Sequence, residues 1–411
     1  MAQASTSEDQ GPSLEARLRA LATELVERLG RVLESALGAP PAKPAELVDR
    51  LGLDKTLASK TLRGLRSDQP LLALLELPAP KGLGIATDAA EREGAAAPTV
   101  AAMRESIARL ASLQHDFAGG RAGLLAVLSG WLPETRDKED RHARQAAFRA
   151  LSTITGTRID ALYNVYAYAP SPDDPETCDT ALVVARLGIR RLRHGSSIRV
   201  ASLIPDTSGH DVPVRTSLSG EPLGDSPRNL LLPAFCSDPL PDLDVLEMAG
   251  RVELILGAKS PPLDGSADLA FGSKARGLVP RYRTDDRAWD YTLTVGGRPA
   301  VVLVADILVH RDLFDGRPPI VTPQLGLSDP DMRGPQFEQA DRVDQPMDVR
   351  ALGTGLSRLG SNDVPRCQEL LAHMFAELRW DPEQFRVYRI RVPYPVPGIA
   401  LLIWFELPTR P

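Results

Sequence analysis

Pro44-Ala-Glu-Leu-Val-Asp-Arg-Leu-Gly-Leu-Asp-Lys-Thr-Leu-Ala-Ser-Lys-Thr-Leu-Arg-Gly-Leu-Arg66 places two short helical patterns on either side of one glycine. Proline suits the first turn of a helix, because its missing N–H has no helical partner there. Leu47, Val48 and Leu51 then fall on one apolar face. Gly52 can adopt the positive φ that ends a helix sharply. Leu53 is an apolar plug after the turn, and Asp54 is a good N-cap for a second helix. Ala58, Leu62 and Leu65 continue the inner face, with Thr61 at its margin. Lys55, Thr56, Ser59, Lys60 and Arg63 fall outside, and Leu57 lies toward that outer side. Ala58 is small enough for a close crossing of the two helices.

The run Glu46 to Leu62 resembles the helix-turn-helix of bacterial transcriptional regulators. In those families the second helix enters the DNA major groove and the first braces it. The resemblance implies that Thr56, Ser59, Lys60 and Arg63 face DNA, while Leu47, Leu51, Leu53 and Ala58 are core. From Ala42 to Arg66 there are six basic side chains against three acidic ones. Lys55, Lys60, Arg63 and Arg66 are the expected phosphate contacts, and Thr56, Ser59 and Lys60 the expected base readers.

Around this stretch, residues 1–12 are polar and expected as a disordered tail. Residues 13–37 carry leucines and a valine at three- and four-residue steps, the pattern of a long amphipathic helix. Residues 71–77 give a further short apolar helix. The domain expected from these pieces runs over 13–80. Residues 81–99, rich in Ala, Gly and Pro, read as a linker. Residues 100–156 read as a helical connector or a dimerisation segment.

From residue 157 the pattern shortens and β-branched residues increase. Strands are expected at 158–168, 181–192, 197–204, 245–256, 290–296, 299–309, 386–393 and 399–406. Gly296-Gly297 reads as a hairpin turn. One helix is expected at 362–379, with Cys367, Leu370, Leu371, Met374, Phe375 and Leu378 buried. The fold class is α+β and multidomain: an all-α helix-turn-helix domain and helical segment, then a mostly antiparallel α+β domain over 157–411. The 36 prolines imply long ordered loops between strands.

Residues 1–155 hold equal numbers of acidic and basic side chains, so the formal charge of −6 falls on the remainder. Three distant cysteines fit neither a metal site nor a disulfide framework. With no export signal visible, the expected compartment is a reducing cytoplasm. No apolar run is long enough to span a membrane, so no membrane partner is expected.

The sequence has no phosphate-binding loop, nucleophile elbow or HExxH helix. No catalytic residue, metal or cofactor is therefore expected, and the chain is not read as an enzyme. His210-Asp211 and His310-Arg311-Asp312 read as surface hydrogen-bond pairs. Asp329, Asp331, Asp341 and Asp344 read as a solvated turn. Arg186, Arg190, Arg191, Arg193 and Arg199 form an acid-free cluster, a candidate site for an anionic ligand, a phosphate backbone or an acidic partner surface. Strand alternation would place Arg191 and Arg193 on one face and Arg186 and Arg190 on the other.

The functional reading that follows is a DNA-binding transcriptional regulator with a C-terminal ligand-sensing or partner-binding domain. Double-stranded DNA would be the partner, and the chain would pair as a homodimer. A protein-interaction scaffold is the alternative, and an enzyme of unrecognised type in the C-terminal domain is a third reading.

Overall fold

A computed structural model describes residues 13–196, 198–203, 215–222, 227–248, 251–257, 259–326, 331–337, 341–344 and 347–411. The expected tail at 1–12 lies outside them, as do His210, Asp211 and Asp329. The described chain is a mixed helix and sheet structure, α+β in general terms, that divides into a helical unit over 1–140 and a sheet-rich unit over 141–411.

The helical unit opens with α1 (Leu14–Leu37). Ser13 caps it, its hydroxyl accepting from the Ala16 amide at 3.3 Å, and left-handed Gly38 ends it. Leu18, Leu25, Leu29, Val32 and Leu33 form its buried stripe. α2 (Pro44–Leu51) starts on its proline and stops at Gly52, φ 69°. α3 (Lys55–Leu65) is capped by Asp54, which accepts from the Leu57 amide at 2.9 Å. α4 (Pro70–Glu76), α5 (Pro80–Arg92), α6 (Ala97–Asp116) and α7 (Gly120–Gly130) follow, and α8 (Pro133–Thr155) spans the division between the units.

Two expectations change here. The stretch read as a linker holds α5 and the start of α6. Its alanines are why: Ala86, Ala89 and Ala90 are buried, and alanine both favours helix and allows close packing. Over residues 100–132, Met103, Leu110, Leu124, Leu128 and Leu132 enter the same core as the α1 stripe. Their apolar faces pack within the unit.

The second unit is built from β1 (Thr157–Pro170), β2 (Thr177–Arg191), β3 (Ile198–Leu203), β4 (Thr216–Ser217), β5 (Leu243–Met248), β6 (Arg251–Leu256), β7 (Ala267–Pro280), β8 (Trp289–Val295), β9 (Ala300–His310), β10 (Ile320–Leu325), β11 (Val349–Thr354), α9 (Cys367–Leu378), β12 (Phe385–Pro393) and β13 (Ile399–Glu406). The main sheet runs β11-β12-β9-β1-β2-β7-β4. β1 and β9 are parallel, and its other pairings are antiparallel. Two smaller sheets run β10-β13-β8 and β3-β6-β5.

Gly296-Gly297 does not close a hairpin. It carries the chain from β8 in a small sheet to β9 in the main one. The sheets separate because both faces of the main sheet are apolar and both must be covered. Tyr163, Val165 and Ala167 of β1 face Leu370, Leu371, Met374 and Phe375 of α9. On the other face, Leu162 and Tyr168 join Leu401, Ile403 and Phe405 of β13 and Leu254 and Leu256 of β6. That second face is not fully closed, and its gap holds the candidate site.

Candidate functional site

The gap is a cleft of about 550 Å³ between the main sheet and β8. Asn164, Tyr166 and Tyr168 of β1 line its floor, with Thr180, Leu182, Val184 and Arg186 of β2. Leu278 and Val279 of β7, and Leu293 and Val295 of β8, add apolar wall. Arg215, Arg287 and Asp290 complete it. Period-two alternation explains the floor: the even residues of β1 and β2 share one face. β8 is tied across the cleft to β1. Tyr166 donates to the Leu293 carbonyl at 2.8 Å, and the Asn164 amide donates to the Thr294 hydroxyl.

Arg186 is the centre of this surface, since it also lines two smaller adjoining pockets. Its guanidinium donates to Asn164 Oδ1 at 2.9 Å and to the Ala185 carbonyl at 3.1 Å. No carboxylate among the described residues pairs with it. Burial pulls its pKa down to about 10. Arg215 is half-buried in the same cleft, its Nη1 is enclosed and has no hydrogen-bond partner, and burial lowers its pKa too. Both cations act on the Tyr166 phenol, and Arg215 acts on Tyr168 as well. Among the described residues no carboxylate pairs with either guanidinium; two desolvated cations on one cleft are costly, and an anion bound there would lower that cost.

The other four arginines of the acid-free cluster scatter. Arg190 faces Asp160 at 3.5 Å, and Arg199 pairs with Glu253 at 2.8 Å. Arg193 is exposed. Arg191 is buried and donates to the Gly257 and Ser260 carbonyls at 2.8 and 2.9 Å. The expected division of faces is corrected. The pairing slips between Arg186 and Ile189, where Gly188 has φ 62°, so Ile189 and Arg191 follow Arg186 to one side. Arg215 carried no signal in sequence, being remote from the cluster; a lone arginine shows its role only when folding buries it.

Beneath α9 lies a second polar group. Arg389 holds Asp306 through two 2.7 Å bonds, and Tyr163 donates to the same carboxylate at 2.6 Å. Arg389 also donates to the Leu359 and Gly360 carbonyls, while Cys367 Sγ donates to Leu359 O. Asp306 and Tyr163 are fully buried and Arg389 nearly so, and the cluster serves the core. His310 receives the Asp312 amide on Nδ1 at 3.3 Å, which leaves its proton on Nε2, and burial lowers its pKa. Among the acids read as a turn, Asp331 pairs with Arg333. Among the described residues no cluster of His, Cys, Asp or Glu could hold a metal ion. No helix there is long and apolar enough to cross a membrane.

The residues singled out for DNA are distributed less simply than expected. Thr56, Lys60, Arg63 and Lys55 are exposed on one strip of α3, with Ser59 half-buried. Leu57, expected toward the outside, is buried, its Cδ1 3.1 Å from where a Cβ on Gly82 of α5 would stand. Arg66 donates to the Ala42 carbonyl, and Arg50 is held by the Leu37 carbonyl and Glu93. Two of the six local cations are thus engaged within the unit. Residues 1–155 carry as many acidic as basic side chains, so any pull on a phosphate backbone would rest on the small local excess at 42–66 alone.

No family model matches the chain, and no curated protein matches it. Among solved structures, an M1 zinc metallopeptidase from Deinococcus radiodurans is similar over 60% of this chain and 42% of that one, with 9% identity and a TM-score of 0.23. The chain thus spans less than half of that peptidase. That structure is not a transcriptional regulator and no family or curated protein supports one, so the reading of this chain as a DNA-binding regulator is withdrawn.

Proposed function

We propose that the sheet-rich unit is a binding module for a small organic anion, held in the cleft by Arg186 and Arg215. One observation carries this: Arg215, whose Nη1 is buried without a hydrogen-bond partner, lines the same cleft as the desolvated Arg186, and neither pairs with a carboxylate among the described residues. A planar guanidinium presents paired donors that match a carboxylate or phosphate. Asn164 holds Arg186 in place, so little side-chain freedom remains to be lost on binding. The walls of Leu182, Val184, Leu278, Val279, Leu293 and Val295 suit an apolar body behind the anionic group.

Calorimetric titration of the full chain with octanoate tests the reading. Saturable binding is expected. R186Q and R215Q, each checked for a native unfolding transition, should weaken it about tenfold or more, as loss of a charge-assisted hydrogen bond does. Absence of binding, or equal affinity in both folded variants, would overturn it.

A further inference from the structure

The other end of the cleft carries a carboxylate, Asp290, paired on one oxygen with Arg287. Asp290 is only 3% exposed. Its Oδ1 accepts from Arg287, but its Oδ2 is enclosed and has no partner. Asp290 stands on β8 with Thr292 and Thr294, the side that meets β1, because Thr294 receives the Asn164 amide. Its charge acts on Tyr168 and on Cys178, at the far end of the β1-β2 pair from Arg186. The register fixes the order. Arg186 lies opposite Leu162 and bonds Asn164, whereas Tyr168 lies opposite Thr180. Asn164 and Tyr168 are four strand residues apart, about 13 Å along the floor. Arg215 lines the same cleft, and its charge acts on both Tyr166 and Tyr168.

We infer that the ligand of this cleft is bipolar: an anionic group at Arg186 and Arg215, an apolar middle, and an ammonium or other N–H donor received by Asp290 Oδ2. The inference rests on the proposed anion site and adds the ligand's other end. A buried carboxylate oxygen without a donor is costly, and a donor aligned by the anionic anchor would satisfy it. A ligand with adjacent charges cannot reach both Arg186 and Asp290, so an extended ω-amino acid is the chemical class that fits.

The test compares 8-aminooctanoate with octanoate by calorimetry, on the full chain and on D290N. The native chain should bind 8-aminooctanoate about tenfold more tightly than octanoate, the scale of one charge-assisted hydrogen bond. In folded D290N that preference should fall to within about twofold while octanoate still binds. 4-Aminobutanoate, too short to span the poles, should show no preference over butanoate in the native chain, a comparison independent of how D290N folds. Equal binding of 8-aminooctanoate and octanoate to the native chain overturns the inference and leaves the anion site standing. A preference that persists in folded D290N also overturns it. Failure of both octanoate and 8-aminooctanoate to bind removes the anion site as well.

Discussion

Tyr163 donates a 2.6 Å hydrogen bond to Asp306 Oδ2 from the neighbouring parallel strand, at a place where neither residue has any solvent exposure. The carboxylate is tolerable there only because Arg389 meets it with two further donors. A buried charge left alone is far more expensive than a buried pair.

R389M should therefore destabilise the sheet-rich unit by about 3–5 kcal/mol, since it strands Asp306 without its cation. Y163F removes one donor and should cost about 1–3 kcal/mol. Urea denaturation followed by tryptophan fluorescence measures both. A cost for R389M no larger than for Y163F would show that Arg389 is not the group that pays for Asp306.

Stability should fall on the alkaline side, starting near the ordinary thiol range. Burial pushes the Cys178 thiol up to about 12, from a usual value of 9.0. A group whose folded pKa is raised contributes fully below its unfolded pKa and loses that contribution as pH rises toward the folded one. The unfolded chain therefore ionises Cys178 first, and unfolding gains between about pH 9 and 12. Tyr163 and Tyr168, also raised chiefly by burial, add to the loss above about pH 10. Urea midpoints taken from pH 7 to 11 should decline, and C178A should flatten the first part of the decline. An unchanged slope in C178A would contradict the assignment.

Gly64 and Gly52 should respond to alanine for different reasons. A Cβ on Gly64 would stand 2.5 Å from Leu77 Cδ2 and 3.2 Å from the Leu77 Cα. G64A should cost about 1–3 kcal/mol through overpacking between α3 and the chain after α4. Gly52 has open space around it but a φ of 69°. G52A should cost only about 1 kcal/mol, from the left-handed backbone alone, and G52N less. Thermal unfolding of the full chain, read by the helical signal, would show the order; G52A worse than G64A would refute it.

K60A and R63A should change stability by no more than about 0.5 kcal/mol each, because both side chains stand exposed on α3. A larger loss in a urea titration would mean that one of them holds a contact the exposed strip does not suggest.

The helical unit was the more legible half of the sequence. Leucine spacing, Pro44, Gly52 and Asp54 act locally, so the start, stop and cap of α2 and α3 can be read from neighbouring residues alone. What the pattern could not supply was the destination of Leu57, which depends on α5 arriving beside it. The sheet-rich unit was legible as strands but not as pairings. A strand's face shows in its alternation, whereas its neighbour is chosen by distant chain, as the assignment of β8 and β9 to different sheets illustrates. Strand β7 was missed because its alanines and glycines dilute the β-branched signal. The cleft was half visible: Arg186 stood in a conspicuous cluster, but Arg215 and Asp290 acquire their meaning only through burial.

The parallel neighbour of β1 arrives late. Val165 registers with Asp306, and Arg389, which neutralises that aspartate, lies on a strand made later still. On the ribosome, β1 and β2 can meet early, yet the central layer waits for nearly the whole chain. During that interval its apolar surface is uncovered, and the cleft does not yet exist. Truncation near the C-terminus would thus weaken or remove binding, because β13 is the strand that pairs with β8, the far side of the cleft.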